Sequence, residues 1–215
     1  IQDGQNLTVN YDNKPLILTV ITPEIVRVFQ DRGNASNSYA IDGDKSIKTD
    51  FKVKKKDGHV ELSTAKLTVK IYDDEKIDVY DEKGNPLILD YRKKRTPIDR
   101  QMDEEHLKLA ESEGHDVKNL LGAHDKDYYE IVKSLADDEQ FYGLGDKTGF
   151  INKRHYAYDN WNTDNPDPQV ESFTRLYKSI PILLGLKNKH PYGIFFDNTY
   201  RNHIDLGKES NDYYY

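Results

Sequence analysis

Cysteine is absent from the 215 residues. A disulfide framework and a thiolate zinc site are therefore both excluded, and a reducing compartment is compatible with the chain. Long apolar runs are also missing. No stretch approaches the roughly 20 residues of a membrane-spanning helix, so no membrane partner is expected. The opening "IQDGQNLTVNYDNK" lacks a basic segment followed by an apolar one, the pattern of a secretory signal. A cytoplasmic location is the resulting expectation. Positive charge is in deficit: 31 Lys and Arg face 38 Asp and Glu, for a formal net charge of −7. A nucleic-acid binder shows the opposite balance, at least on one face. The densest basic run, "DYRKKRTP" from Asp90, is short and reads as a solvated turn. The chain does not start with Met, and its end, "NDYYY", reads like the opening of a strand. A piece of a longer protein is expected.

What is present alternates with the period of strands. "PLILTVITPEIVRVFQD" gives two, separated by Thr22 and Pro23. In the second, Ile25, Arg27 and Phe29 face one way and Val26 and Val28 the other. "KKDGH" is a hairpin turn, since Asp-Gly tolerates the positive φ that such turns need. "KIDVYDEKGNPLILDY" is a second hairpin, punctuated by Gly84, Asn85 and Pro86. Strands return from Tyr128, with "YYEIVKSL", "SIPILLGL", "YGIFFDN" and "RNHIDLG", and "DYYY" begins another. "SIPILLGL" is apolar enough to predict burial on both faces. Short strands at this spacing predict an all-β fold, an antiparallel β-sandwich. The exception is residues 92–119. There "MDEEHLKLAESEG" has an N-cap candidate in Asp103 and a stop in Gly114, which predicts a short helix from Asp103 to Glu113 in an insertion.

Motifs for common chemistries are missing. "GLGDKTG" has Gly143, Gly145 and Gly149 but not the Lys-Ser/Thr end of a phosphate loop, and no βαβ unit surrounds it. Glycines in a β protein serve bulges and close backbone approach. No HExxH and no GxSxG occurs, so neither a metal nor a cofactor is expected. Acids are so frequent that no carboxylate pair stands out as a glycosidase dyad. "DNWNTDNPDP" is more specific. Trp161, the single tryptophan, sits in a polar turn. Two readings stand: it plugs a core edge, or its flat face packs on sugar C–H groups while neighbouring Asp and Asn take the hydroxyls.

Four blocks then carry a resemblance: "FYGLGDKTG", "WNTD", "LYKSIPILLGL" and "YGIFFDNTYR", in that order between Phe141 and Arg201. Together they resemble the N-terminal domain of glycoside hydrolase family 31, which includes α-glucosidases and α-xylosidases. The resemblance implies a galactose-mutarotase-like β-sandwich over residues 1–215, interrupted by the insertion at about 92–119. It also implies a following (β/α)₈ barrel and a retaining mechanism with two aspartates. Those catalytic residues belong to the barrel, so none is expected here. The implied role is that of an accessory domain. It packs on the barrel and lends the loop with Trp161, Asn162, Thr163 and Asp164 to a pocket for an α-linked oligosaccharide. Asp164 is the residue implied to bond sugar hydroxyls; a competing reading has it cap its own turn. The glycines would let the backbone turn against the barrel, and Tyr156 and Tyr158 would pack. The face left uncovered by the missing barrel would be apolar and prone to self-association. Two alternatives remain open. A stand-alone carbohydrate-binding module needs an exposed aromatic platform. An aldose epimerase needs His59, His155 or His203 opposite a carboxylate in a deep pocket.

Overall fold

Alternation in "KPLILTVIT" puts Leu16, Leu18 and Val20 on one face of a strand, and that face is buried. The computed structural model that shows this describes residues 1–11, 14–30, 38, 40–41, 48–95, 112, 129–166 and 168–215. The strand is β3 (Lys14–Thr22), flanked by β2 (Asn6–Tyr11) and β4 (Ile25–Gln30), with β1 (Gln2–Asp3) at the far edge; all pairs are antiparallel. A second antiparallel sheet runs in chain order through β5 (Lys52–Lys56), β6 (His59–Ser63), β7 (Leu67–Tyr72), β8 (Ile77–Asp81) and β9 (Pro86–Leu89). Leu62, Val69 and Ile71 of this sheet meet Leu7, Leu16, Leu18 and Val20 of the first to form one core. The β5–β6 turn carries Gly58 at φ +74, as the Asp-Gly signal predicts.

The rest of the described chain forms a second cluster of sheets. They comprise β10 (Lys133–Ser134), β11 (Gln140–Gly145), β12 (Ala157–Asn160), β13 (Ser179–Lys187), β14 (His190–Phe195), β15 (Asn202–Asp205) and β16 (Tyr213–Tyr214). β13 lies between β11 and β14, while β12 pairs with β15 and β10 with β16. Phe141, Leu144, Tyr158, Leu183, Ile204 and Tyr214 are at the centre of their core. A bridge between Asp90 and Lys133 and the rings of Tyr91 and Tyr213, 4.9 Å apart, tie this half to the end of β9. The all-β antiparallel expectation holds throughout.

Several local expectations are corrected. Among the described residues of "YYEIVKSL", from Tyr129 onward, only Lys133 and Ser134 are in a strand. "SIPILLGL" is not buried on both faces: Leu183 is fully buried, but Ile180, Ile182 and Leu184 are 41–49 % exposed. The run is apolar because its outer face is apolar too. "DYRKKRTP" is more than a solvated turn. Arg92 donates to Asp78 at 2.9 Å, and Arg95 grips Glu209 through Nε at 3.1 Å and Nη2 at 2.7 Å, while also pairing with Glu130. Both arginines hold the start of the segment that separates β9 from β10, and Arg95 ties it to Glu130 near the segment's end. The helix predicted from Asp103 to Glu113 lies outside the described residues, save for Ser112, which is helical.

Candidate functional site

The glycine-rich stretch fixes the geometry around the candidate loop. Gly143, Leu144 and Gly145 have φ of +97, +67 and +83, a run of left-handed residues that glycine makes tolerable. The result is a bulge in the β11–β13 register, with Leu144 completely buried in the core. A Cβ at Gly143 would lie 2.5 Å from the Ile182 carbonyl oxygen, and one at Gly145 2.5 Å from that of Lys178. These glycines therefore bring the backbone against this domain's own β13. Gly149 similarly makes room for the Tyr156 ring, 2.5 Å from its notional Cβ. Tyr156 stacks on Tyr158 with centroids 5.8 Å apart, and Tyr158 is buried and donates to the Thr148 carbonyl at 2.8 Å. Both tyrosines pack, as expected.

The bulge directs Lys147 inward. Its ammonium donates to the Asp159 carbonyl at 3.1 Å and lies 3.4 Å from Ser179 Oγ. Burial pushes its pKa down to about 8, against the pull of Asp159 and Asp146. The chain from Trp161 to Pro166 then runs alongside residues 174–177. Asp159 N–H donates to the Thr174 carbonyl at 3.1 Å and Thr163 N–H to that of Leu176 at 3.0 Å. Asn162 Oδ1 accepts from Ser179 N–H at 2.8 Å, and the Tyr177 hydroxyl donates to the Asn165 carbonyl at 2.7 Å. Asn162 and Thr163 thus hold the loop in place. Trp161 is half exposed and is not among the side chains packed on either core. Asp164 is exposed, and among the described residues no hydrogen bond or ion pair holds its carboxylate.

Next to this loop lies a charge cluster that the sequence reading missed. Asp159 on β12 accepts from His203 Nδ1 at 2.8 Å and from Arg201 Nη2 at 3.0 Å; Arg175 Nε stands 3.8 Å away. Burial works against ionisation of Asp159. The hydrogen bond and charge of His203, with those of Arg201, outweigh burial and hold the carboxyl at about 2. Antiparallel pairing of β12 and β15 places Asp159 opposite His203 and Asn160 opposite Asn202. In sequence these pairs are more than forty residues apart. The one available signal was that "YDN" and "NHID" are both polar strands, which form when charge is satisfied across the ladder.

The histidines do not meet the epimerase requirement. His203 faces Asp159 and His59 Nε2 lies 3.3 Å from Glu61, while His155 Nδ1 contacts the Gly207 carbonyl. Neither of two shallow concavities includes any of them. One, of about 350 Å³, is lined by Thr148, Gly149, Phe150, Gln169, Val170 and Glu171. The other, of about 370 Å³, lies between β8–β9 and β14, with Asp81 and His190 at its rim. Among the described residues no group of three His, Cys, Asp or Glu side chains could hold a metal ion.

Comparison with known proteins places this geometry. Over 81 residues, 38 % of this chain, the sequence is 38 % identical to alpha-glucosidase 2 of Bacillus thermoamyloliquefaciens, of which the match covers 10 %. Over 80 residues it is 32 % identical to alpha-xylosidase XylQ of Lactiplantibacillus pentosus, covering 9 % of that protein. The fold matches a family 31 dextranase from Flavobacterium johnsoniae with a TM-score of 0.71 and 28 % identity, over 99 % of this chain and 23 % of the dextranase. The chain thus spans a small part of the length of these relatives. The model of the glycosyl hydrolase 31 N-terminal galactose mutarotase-like domain matches residues 15–205. The chain belongs to that domain family.

Proposed function

We propose that the chain is the accessory N-terminal domain of a retaining α-glucosidase, that it packs on a (β/α)₈ barrel, and that it contributes a loop to the pocket for an α-linked oligosaccharide. The observation that carries the reading is the family match across residues 15–205, in a chain whose 81-residue match to a curated relative covers only 10 % of that relative. Two structural features support it. Trp161 is half exposed and Asp164 exposed, and no described residue bonds either side chain, which leaves an aromatic face and a carboxylate suited to sugar C–H groups and hydroxyls. Ile180, Ile182 and Leu184 of β13, with Phe195 of β14 opposite Ile182, form an apolar face on the three-stranded sheet. Contiguous apolar surface of this kind marks an interface. We assign it to the barrel, and to self-association when the barrel is missing.

The test uses the isolated chain. Its single tryptophan makes emission a reporter of the loop itself. Maltotriose should leave Trp161 emission unchanged in the millimolar range, and maltose and aryl α-glucosides should show no hydrolysis above a buffer blank. Saturable quenching by maltotriose would instead establish a stand-alone binding module. Turnover that disappears when one of the chain's own acids is replaced would refute the accessory role.

A further inference from the structure

Around Asp159 the fold assembles more positive charge than it uses. Arg201 Nη2 and Arg175 Nε converge on the same oxygen, Asp159 Oδ2, at 3.0 and 3.8 Å. The second distance is too long for a hydrogen bond. A guanidinium carries five N–H donors. Among the described residues Arg201 places one of them on an acceptor and Arg175 none. Both side chains reach solvent, at 42 % and 37 % exposure. On the other side His203 Nδ1 occupies Asp159 Oδ1, and His203 Nε2 is buried without a partner. The Lys147 ammonium lies against the Asp159 carbonyl, and Asp146 is the other acid that acts on it. Two permanently charged guanidinium groups, the Lys147 ammonium and a histidine thus face two carboxylates.

This arrangement is costly as it stands. Two guanidinium groups drawn to one oxygen repel each other, and one shared carboxylate neutralises only one of them. An oxyanion bridging their free donors would relieve the repulsion, because planar forks bind phosphate and carboxylate through paired hydrogen bonds. The position is also set by the backbone. Arg175 sits between Thr174 and Leu176, whose carbonyls accept from Asp159 and Thr163 on either side of Trp161. We propose that Arg175 and Arg201 form a receptor for an oxyanion, phosphate or carboxylate, at the base of the Trp161 loop. The anion can be a substituent of a sugar or free in solution. The proposal stands independently of the role assigned to Asp164.

The experiment is an NMR titration of the Arg Nε–Hε signals of the chain at low ionic strength, with inorganic phosphate, glucose 6-phosphate and glucose as probes. Both phosphate probes should shift the Arg175 and Arg201 signals saturably, and glucose should not. The double variant Arg175→Gln, Arg201→Gln should bind about ten-fold more weakly or worse, as expected for lost bonds to a charged group. Asp159→Asn, which removes the competing carboxylate, should bind more tightly. If that variant fails to fold, Arg175→Gln alone serves, since Arg175 makes no hydrogen bond within the described fold. Tighter binding of glucose 6-phosphate than of phosphate would assign the anion to a sugar; equal binding would assign it to a free ion, and either result supports the receptor. No saturable shift of either signal, or equal affinity in the double glutamine variant, would overturn it.

Discussion

Replacing Gly145 with Ala tests why the glycine-rich stretch exists. The new Cβ would lie 2.5 Å from the Lys178 carbonyl oxygen and 2.9 Å from the Ile180 nitrogen. Both are backbone atoms, one in β13 and one just before it, and cannot swing aside. The φ of +83 costs an alanine roughly 1–2 kcal/mol. Separating the strands breaks the bond from Asp146 N–H to the Lys178 carbonyl, about 0.5–1.5 kcal/mol more. Restricting the unfolded chain returns about 0.4–1 kcal/mol. The net loss is about 0.5–3 kcal/mol. In a domain of this size each kcal/mol lowers Tm by roughly 2–4 °C. Gly58→Ala is the control, because Gly58 has a similar φ of +74 with no atom within 4 Å of its notional Cβ. Urea unfolding of both variants isolates the close approach from the conformational strain. The displaced strand also carries Ser179, whose N–H holds Asn162, so Trp161 emission should change in the folded Gly145→Ala protein and stay constant in Gly58→Ala. If Gly145→Ala costs no more than Gly58→Ala and leaves the emission unchanged, the close-packing account of these glycines is wrong.

Other substitutions probe the remaining structure. The folded-state pKa of Asp159, about 2, lies below the ordinary value near 3.9, so its stabilisation is full above pH ~4 and disappears as pH falls through 2. Asp159→Asn should therefore be less stable than the parent at pH 6, and the gap between their urea midpoints should close between pH 4 and 2; a gap independent of pH would remove the carboxylate from the argument. Ile182→Glu should change stability by no more than about 0.5 kcal/mol, as exposed substitutions do, while reducing self-association in sedimentation velocity. A collapse of Tm would show that this face is core. Tyr192→Phe removes the hydroxyl that donates to Glu139, a carboxylate only 1 % exposed, and should cost about 1–3 kcal/mol by thermal unfolding. An unchanged Tm would mean that the bond contributes nothing net.

The strands were legible because alternation reports burial directly, as in Leu16, Leu18 and Val20. The Asp57-Gly58 turn was legible for the same reason, since its chemistry is local. "SIPILLGL" misled because an apolar outer face reads identically whether the chain buries it or a neighbouring body does. Arg92 and Arg95 misled because their partners, Asp78 and Glu209, are remote in sequence. The Asp159 cluster was invisible for a related reason: it depends on the β12–β15 register, and no local pattern encodes which strands pair. At the loop, residue chemistry singled out Trp161 and Asp164. Only coordinates could separate them from Asn162 and Thr163, which turn back to hold the start of β13 and the irregular segment before it.

The central claim is that this domain completes a sugar pocket through Asp164, and Asp164→Ala in the full-length enzyme tests it most directly. A hydrogen bond from a hydroxyl to a charged carboxylate is worth roughly 1.5–3 kcal/mol, so kcat/KM for an α-linked oligosaccharide should fall about ten- to a hundred-fold. Tm should stay unchanged, because no described residue bonds the Asp164 side chain. A variant that melts early and keeps its kinetics would show Asp164 to be a turn residue, and would contradict the account.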